Sequence, residues 1–301
     1  VELTGNKTLL GFKEFSIQKP HSRIFPYDLA YASTLRSLGN ISSIQKFAHV
    51  FVNGNSWGIM NIEEHMTKEF LEKQKRKESI IVKFGGEGRF DYIYNATDSY
   101  EYYRLNSGEF TLDSFKSKRY MKDIKYREFL TYISNNQLGF KSHLYDETSF
   151  LNSYIASTLW ANWHTLLDAN HRYYFNPYTL KLESISTDQG PFERLNYHDG
   201  ISSPRLEGSP ILAGQFSSVL KKIKQNNELL SAAKLNINKI SDDKHFKNYS
   251  KYFPLNKQIN SEVLNENIKE FLLNTGLYLD PNFSGQKDIS SENFFSQIAL
   301  P

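Results

Sequence analysis

The spacing of apolar residues switches repeatedly between a period of two and a period near 3.6, and each switch marks an element. Residues 12–19, Phe-Lys-Glu-Phe-Ser-Ile-Gln-Lys, roughly alternate, which predicts a half-buried strand that Pro20 ends. A helix of about 12 residues follows. Pro26 stands at a first-turn position, Asp28 near the positive helix end, Leu29, Ala32, Leu35 and Leu38 recur at helical spacing, and Gly39 stops it. Alternation returns over residues 47–52. Asn53 and Gly54 both tolerate the positive φ of a type I′ turn, so a hairpin is expected with its return strand over residues 56–61. After Glu63-Glu64 the charged amphipathic stretch 67–77 predicts a helix, and Ile80-Ile81-Val82-Lys83 a short β-branched strand. Residues 1–84 thus read as a sheet with one or two helices packed on it.

Gly85-Gly86-Glu87-Gly88 is a loop, and the Tyr-rich stretch 91–103 fits neither period. Helices are predicted over residues 121–134 and 150–163, the second with Tyr154, Ile155, Thr158, Leu159 and Trp163 on a wide apolar face. Residues 171–175 read as a strand, Asn176-Pro177-Tyr178 as a turn, and residues 181–187 as the strand returning. Beyond Asp188 the composition shifts to loop, then to helices around residues 211–224 and 265–273. No internal repeat and no clear linker divides the chain, which reads as one α+β domain.

Composition narrows the chemistry. With 39% hydrophobic residues, 19 Tyr and 22 Phe, the chain is an ordinary globular sequence, not a disordered tail, a collagen or a coiled coil. No cysteine is present, so disulfides, thiolate metal sites and thiol nucleophiles drop out. The net charge of +3 is spread along the chain, without the clustered basic footprint of nucleic-acid binding. No apolar run of about 18 residues offers a membrane span. The chain opens on Val1 inside a structured stretch, which suggests a portion of a longer protein. The many Asn, Lys, Ile and Ser residues suit an AT-rich bacterial genome. The missing cysteines suit a secreted, cell-surface or periplasmic location slightly better than a cytoplasmic one.

Three groups of residues carry candidate chemistry. If the 171–187 hairpin closes as predicted, Asp188 returns beside Asn170, and an amide oxygen next to a carboxylate is the hard-oxygen pair that a Mg²⁺ holding nucleotide phosphates uses. Read as structure alone, the same two residues are polar groups flanking a turn. Lys19 at a strand end and Glu64 opening the following helix would suit a cation oriented onto phosphates, with Lys83 competing for the role. Taken singly, each is better read as a surface charge. His164 and Asp168 lie just before Asn170, where either would serve as a base, though a lone His after Trp163 is as often a hydrogen-bonded structural residue. The Gly85-Gly86-Glu87-Gly88 loop lacks the spacing of a phosphate-binding motif. Tyr102 and Tyr103 suit a sugar less well than a packed interface.

These residues resemble a known family. Phe15-Ser16-Ile17-Gln18-Lys19, Leu35 to Gly39, and Val50-Phe51-Val52-Asn53-Gly54-Asn55-Ser56-Trp57-Gly58-Ile59-Met60-Asn61-Ile62-Glu63-Glu64-His65 are similar to the spore coat protein H (CotH) kinase family. So are Ile81-Val82-Lys83, Asn170 to Pro177 and Thr187-Asp188-Gln189; the likeness spans roughly residues 1–195. It implies a two-lobed, atypical protein-kinase-like fold. An N-lobe of antiparallel sheet plus helix would occupy about residues 1–90 and a mainly helical C-lobe residues 91–301. The implied activity is transfer of the ATP γ-phosphate to Ser or Thr hydroxyls of a protein substrate, with Mg²⁺ or Mn²⁺. By motif position Lys19 would orient the phosphates, Glu64 would be its helix partner, and Asp188 and Asn170 would hold the metal. The family's usual base Asp falls where this chain has His164 or Thr165. Asp168 or His164 would then serve, or transfer would be weak. Two alternatives stand beside this reading: a catalytically weak surface or matrix scaffold, and transfer of the nucleotidyl part of ATP.

Overall fold

The structure, a computed structural model, describes residues 1–23, 27–84, 110–112, 122–136, 144–161, 165, 170–189, 194, 235, 263 and 266–267. In chain order its elements are β1 (Phe15–Gln18), a 3-10 turn (Pro20–Arg23), α1 (Tyr27–Ser37), β2 (Ile41–Ser42), β3 (Gln45–Val52), β4 (Asn55–Glu64) and α2 (Lys68–Lys73). There follow β5 (Ile81–Phe84), β6 (Phe110–Leu112), α3 (Ile124–Asn136), α4 (Glu147–Leu159), β7 (Arg172–Asn176) and β8 (Lys181–Ser186). The α+β class expected from the sequence holds.

The first sheet has the order β1-β4-β3, antiparallel throughout. Asn53 and Gly54 take φ of 52° and 81° at its hairpin, the backbone that a type I′ turn requires. One extra residue, Trp57, stands between the paired positions Gly58 and Ser56, and Gly58 at φ 78° absorbs the bulge. Pleating divides the sheet into unlike faces. Phe15, Met60 and Ile62 pack with Phe12 into a core, while Ser16, Gln18, Gln45, Asn61 and Glu63 share the polar face.

Residues 1–84 do not form a single sheet. Both β2 and β5 leave the N-terminal sheet to join a second one, of order β2-β8-β7-β5-β6, in which only β2 and β8 run parallel. Neither strand carries a turn signal toward its partner, because the pairing residues lie far along the chain: Ile41 with Ile185, Ile81 with Tyr174. One face of this sheet (Val82, Tyr173, Phe175, Leu182) packs on Ile133, Leu144, Tyr145 and Phe150. The other (Ile81, Tyr174, Ile185) packs on Ile41 and on Phe70 and Leu71 of α2.

Two helix ends aim side chains that matter later. Past α1, Asn40 N–H donates to Leu35 O (3.1 Å) and Gly39 N–H to Arg36 O (3.0 Å), with Gly39 at φ 85°; these are the paired bonds of a Schellman cap. The cap directs Asn40 into α4, where its amide donates to Ser149 O (2.7 Å) and its Oδ1 accepts from Asn152 Nδ2 (2.9 Å). Helix α2 is shorter than the expected 67–77. Thr67 caps its start, and Lys75 at φ 59° closes it with the same two bonds, Arg76 N to Leu71 O and Lys75 N to Glu72 O. The turn delivers Arg76 to Glu183 at 2.6 Å.

Helix α4 confirms the expected helix before Asn170 but begins earlier, where Asp146 Oδ1 accepts from Ser149 N–H (2.8 Å). It is buried on a polar side as well as an apolar one. Ser149, Asn152, Ser153 and Ser157 recur every three or four residues, and all are buried. They bond across to Tyr31 of α1 and to Ser184 of β8, so a layer of small hydroxyl groups joins α1, α4 and the second sheet. The expected elements at 85–88, 91–103 and 211–224, and most of 265–273, lie outside the described residues. Among the described residues no helix is long and apolar enough to cross a membrane.

This architecture ranks its aromatics. Phe150 is 1% exposed and packs on Tyr145, His171 and Tyr173, whereas Phe51 is 61% exposed. Phe150→Ala is expected to cost about 3–5 kcal/mol in urea unfolding, and Phe51→Ala less than about 0.5 kcal/mol. Equal costs would contradict the placement of the core.

Candidate functional site

The β7–β8 hairpin closes as the sequence predicts. Its loop is held by Asn176, whose Oδ1 accepts from Tyr178 N–H (2.9 Å) and whose carbonyl accepts from Leu180 N–H (2.9 Å). Arg172 pairs with Ile185, so the register carried two residues on puts Asn170 opposite Thr187 and Asp188 beside it. Arg172 clips the two chain ends together: its Nη1 donates to Asn170 O (2.8 Å) and to Thr187 Oγ1 (3.3 Å). Both Asn170 and Asp188 are half-buried.

Asp188 takes φ +61°, the left-handed region that side chains other than Gly enter at a cost. Such strain tends to collect where a side chain must point in one direction. The next residue is fixed as well. Gln189 N–H donates to Asp28 Oδ1 at 2.9 Å, and Asp28, 2% exposed in the first turn of α1, also accepts from Gln45 Nε2 of β3. Gln45 Oε1 accepts in turn from Asn61 Nδ2 (3.2 Å), so the polar face of the first sheet connects through Asp28 to the backbone beside Asp188.

The cations fall otherwise than the sequence suggests. Glu64 is the last residue of β4, opposite Phe15, and does not open a helix; two acidic residues ahead of an amphipathic run imitate a first turn, but the true cap is Thr67. The carboxylate of Glu64 is buried and takes its proton-rich partner from α2, where Lys73 Nζ donates to Oε1 while lying 4.9 Å from the Phe12 ring centre. Burial raises the carboxyl's pKa, and the Lys73 bond and charge pull it back. Lys19 is exposed beyond the other end of β1. Since Phe15 faces Glu64, Lys19 stands four strand positions away, about 13 Å along the sheet. The Lys19–Glu64 pair is therefore not formed.

Lys83 sits differently. It stands directly opposite Arg172 in the second sheet, so both side chains lie on one face, one strand from the Asn170 and Asp188 end. Two cations facing each other across a ladder repel, and an anion between them removes that repulsion. His164 and Asp168 lie outside the described residues.

A histidine the sequence reading passed over is the most perturbed base among the described residues. His171 is fully buried, hydrogen-bonded through Nε2 to Ser184 Oγ (2.6 Å) and stacked on Tyr173. Burial, then the nearby Arg172 charge, pull its pKa down to about 3. It is a neutral structural side chain at neutral pH, not a base facing solvent. Among the described residues no group of three or more His, Asp or Glu side chains is close enough to hold a metal ion. Asn170 and Asp188 could therefore supply only part of a Mg²⁺ shell, the rest coming from phosphate oxygens and water. A separate cleft of about 350 Å³ between residues 6–13 and α2, lined by Lys7, Lys13, Lys73, Glu69 and Glu72, contains none of the candidates. No protein-family model and no curated protein matches the chain.

Two outcomes follow. Lys73→Met leaves the Glu64 carboxylate buried without its cation and is expected to cost about 2 kcal/mol, against less than about 0.5 kcal/mol for Lys19→Met. Both are measured by urea unfolding; the opposite ranking would restore Lys19 as the partner. His171 binds fewer protons folded than unfolded, so its contribution to stability is present above its unfolded pKa of about 6.5 and is lost as pH falls toward 3. Over that window its share of the slope approaches about 1.4 kcal/mol per pH unit. A His171→Gln protein should show a correspondingly flatter stability profile between pH 6.5 and 4.

Proposed function

We propose that the chain is a CotH-like, two-lobed kinase-like protein that transfers the γ-phosphate of ATP to Ser or Thr hydroxyls of a protein substrate. Its metal, Mg²⁺ or Mn²⁺, would lie between Asn170 and Asp188. The observation that carries this reading is the hairpin register, which brings an amide and a carboxylate to one end of the second sheet and fixes Asp188 in a left-handed backbone. Lys83 and Arg172, opposed on one face beside that end, supply the positive charge that a polyphosphate needs, the part first assigned to Lys19. The base would be Asp168 or His164. A loose phosphoryl-transfer transition state asks little of it.

One observation favours a second reading. Glu64 is paired with Lys73, so the strand-Lys and helix-Glu pair of an active kinase is missing in its expected form. The chain would then keep the fold and bind nucleotide weakly, as a surface or matrix scaffold. Transfer of the nucleotidyl group is a further outcome of the same apparatus.

Thermal unfolding with ATP, with and without Mg²⁺, tests the proposal. A magnesium-dependent rise in Tm is expected in the wild type, lost in Asp188→Ala and reduced in Lys83→Met. Mass spectrometry of the ATP-incubated protein should show an added phosphate. An added AMP would replace the reaction, no addition would favour the scaffold, and a rise in Tm unchanged in Asp188→Ala would sink the metal assignment.

A further inference from the structure

Resting on the metal reading of Asn170 and Asp188, we propose that Asp28 is the positioning residue of that site, setting the direction of Asp188 through the backbone of Gln189. Three observations converge on it. Asp28 is 2% exposed, and a carboxylate so placed must be satisfied by donors. Its donors come from segments far apart in the chain: the Gln45 side chain to Oδ2, and Gln189 N–H, 161 residues away, to Oδ1 at 2.9 Å. The second of these bonds belongs to the peptide immediately after Asp188, whose own φ of +61° is uphill for an Asp.

The bond to Gln189 acts on orientation because it holds the peptide that Asp188 shares with Gln189. A left-handed residue with its following N–H free would relax toward the extended or helical basin, swinging its side chain away from Asn170. Asp28 opposes that relaxation from the rigid first turn of α1, itself anchored where Tyr31 OH bonds Ser157 Oγ of α4 (2.8 Å). Groups that orient a metal ligand without touching the metal commonly govern affinity by 10–100-fold. Through Gln45 and Asn61 the same carboxylate ties the direction of Asp188 to the polar face of the first sheet, so the two sheets share one reference point at the site.

The donor–acceptor pattern allows a graded test. Asp28→Ala removes the acceptor of Gln189 N–H, whereas Asp28→Asn keeps an amide oxygen for that N–H, and its NH₂ is accommodated by turning the Gln45 and Asn61 amides over. The readout is Mn²⁺ affinity by electron paramagnetic resonance, with a non-hydrolysable ATP analogue, so no turnover is needed; near-ultraviolet circular dichroism reports the fold. Asp28→Ala is expected to weaken Mn²⁺ binding by at least about tenfold, and Asp28→Asn to stay within about threefold of wild type. A folded Asp28→Ala within about twofold of wild type overturns the positioning role while leaving the metal site standing, as does an Asp28→Asn that loses as much as Asp28→Ala. A wild type that binds no Mn²⁺ overturns both. Should Asp28→Ala fail to fold, Gln45→Leu removes the side-chain donor that holds the Asp28 carboxylate: a drop of about threefold supports the role, and unchanged affinity rejects it.

Discussion

The structure is organised around one buried negative charge. Asp28 cannot stay buried between the first sheet and the segment following β8 unless donors reach it, and they do: Gln45 reaches in from β3, and Gln189 N–H from the segment after β8. The Asp28 charge in turn attracts Arg36 and offsets part of what burial costs that guanidinium, whose pKa falls to about 10. Hydrophobic clusters fill each sheet and meet at Ile44, but a hydrophobic contact does not fix direction. The carboxylate does, because each of its two oxygens accepts along a defined line. The relative setting of the polar face of the first sheet and the open end of the β7–β8 hairpin follows from that geometry.

The second constraint is the hydroxyl layer between α4 and β8. Ser153 Oγ bonds Ser184 Oγ (2.8 Å), Ser184 bonds His171, and Ser42 Oγ donates to Ser186 O (3.0 Å), so the interior here is held by short directional contacts between small side chains. Small residues let the helix approach the sheet closely, and each buried hydroxyl that finds a partner avoids the penalty of an unpaired one. The same layer holds His171 in place one residue after Asn170. A polar interior of this kind locates the hairpin end more sharply than leucines would, since a shift that packed leucines tolerate would break several of these bonds.

How much of this was legible in the sequence depends on the range of the forces involved. Asn53-Gly54, the Asn176-Pro177 turn, Gly39 and the Pro20 stop are local instructions, and the hairpins, the α1 end and the return of Asp188 beside Asn170 follow from them. Glu64 misled because acidic residues serve both first helical turns and buried ion pairs, and only the position of Lys73 distinguishes the two. Ser149, Ser153 and Ser157 drew no reading from the sequence, because serines at helical spacing look like a solvent face and only the fold shows theirs buried against other hydroxyls. Lys83 was among the cations considered, but its opposition to Arg172 depends on the pairing of β5 with β7, which nothing local specifies. Asp28 was noticed as a charge suited to a helix start. Its partners at positions 45 and 189 were invisible without the fold.

The parallel strand β2 is only two residues long, and its ladder partner lies 144 positions later. Among the described strands it is the shortest, and it joins the N-terminal part of the chain to β8. A ribosome extruding this polypeptide would release every strand of the three-stranded sheet by residue 64, whereas Ile81 and Val82 would emerge with no partner strand before residues 110–112, and Ile41 with none before residue 185. Until then those apolar strands are unpaired edges, the kind of surface that invites wrong partners. The chain therefore seats β2 only once β8 has been made, and the Asn170 and Asp188 end takes shape in that same step.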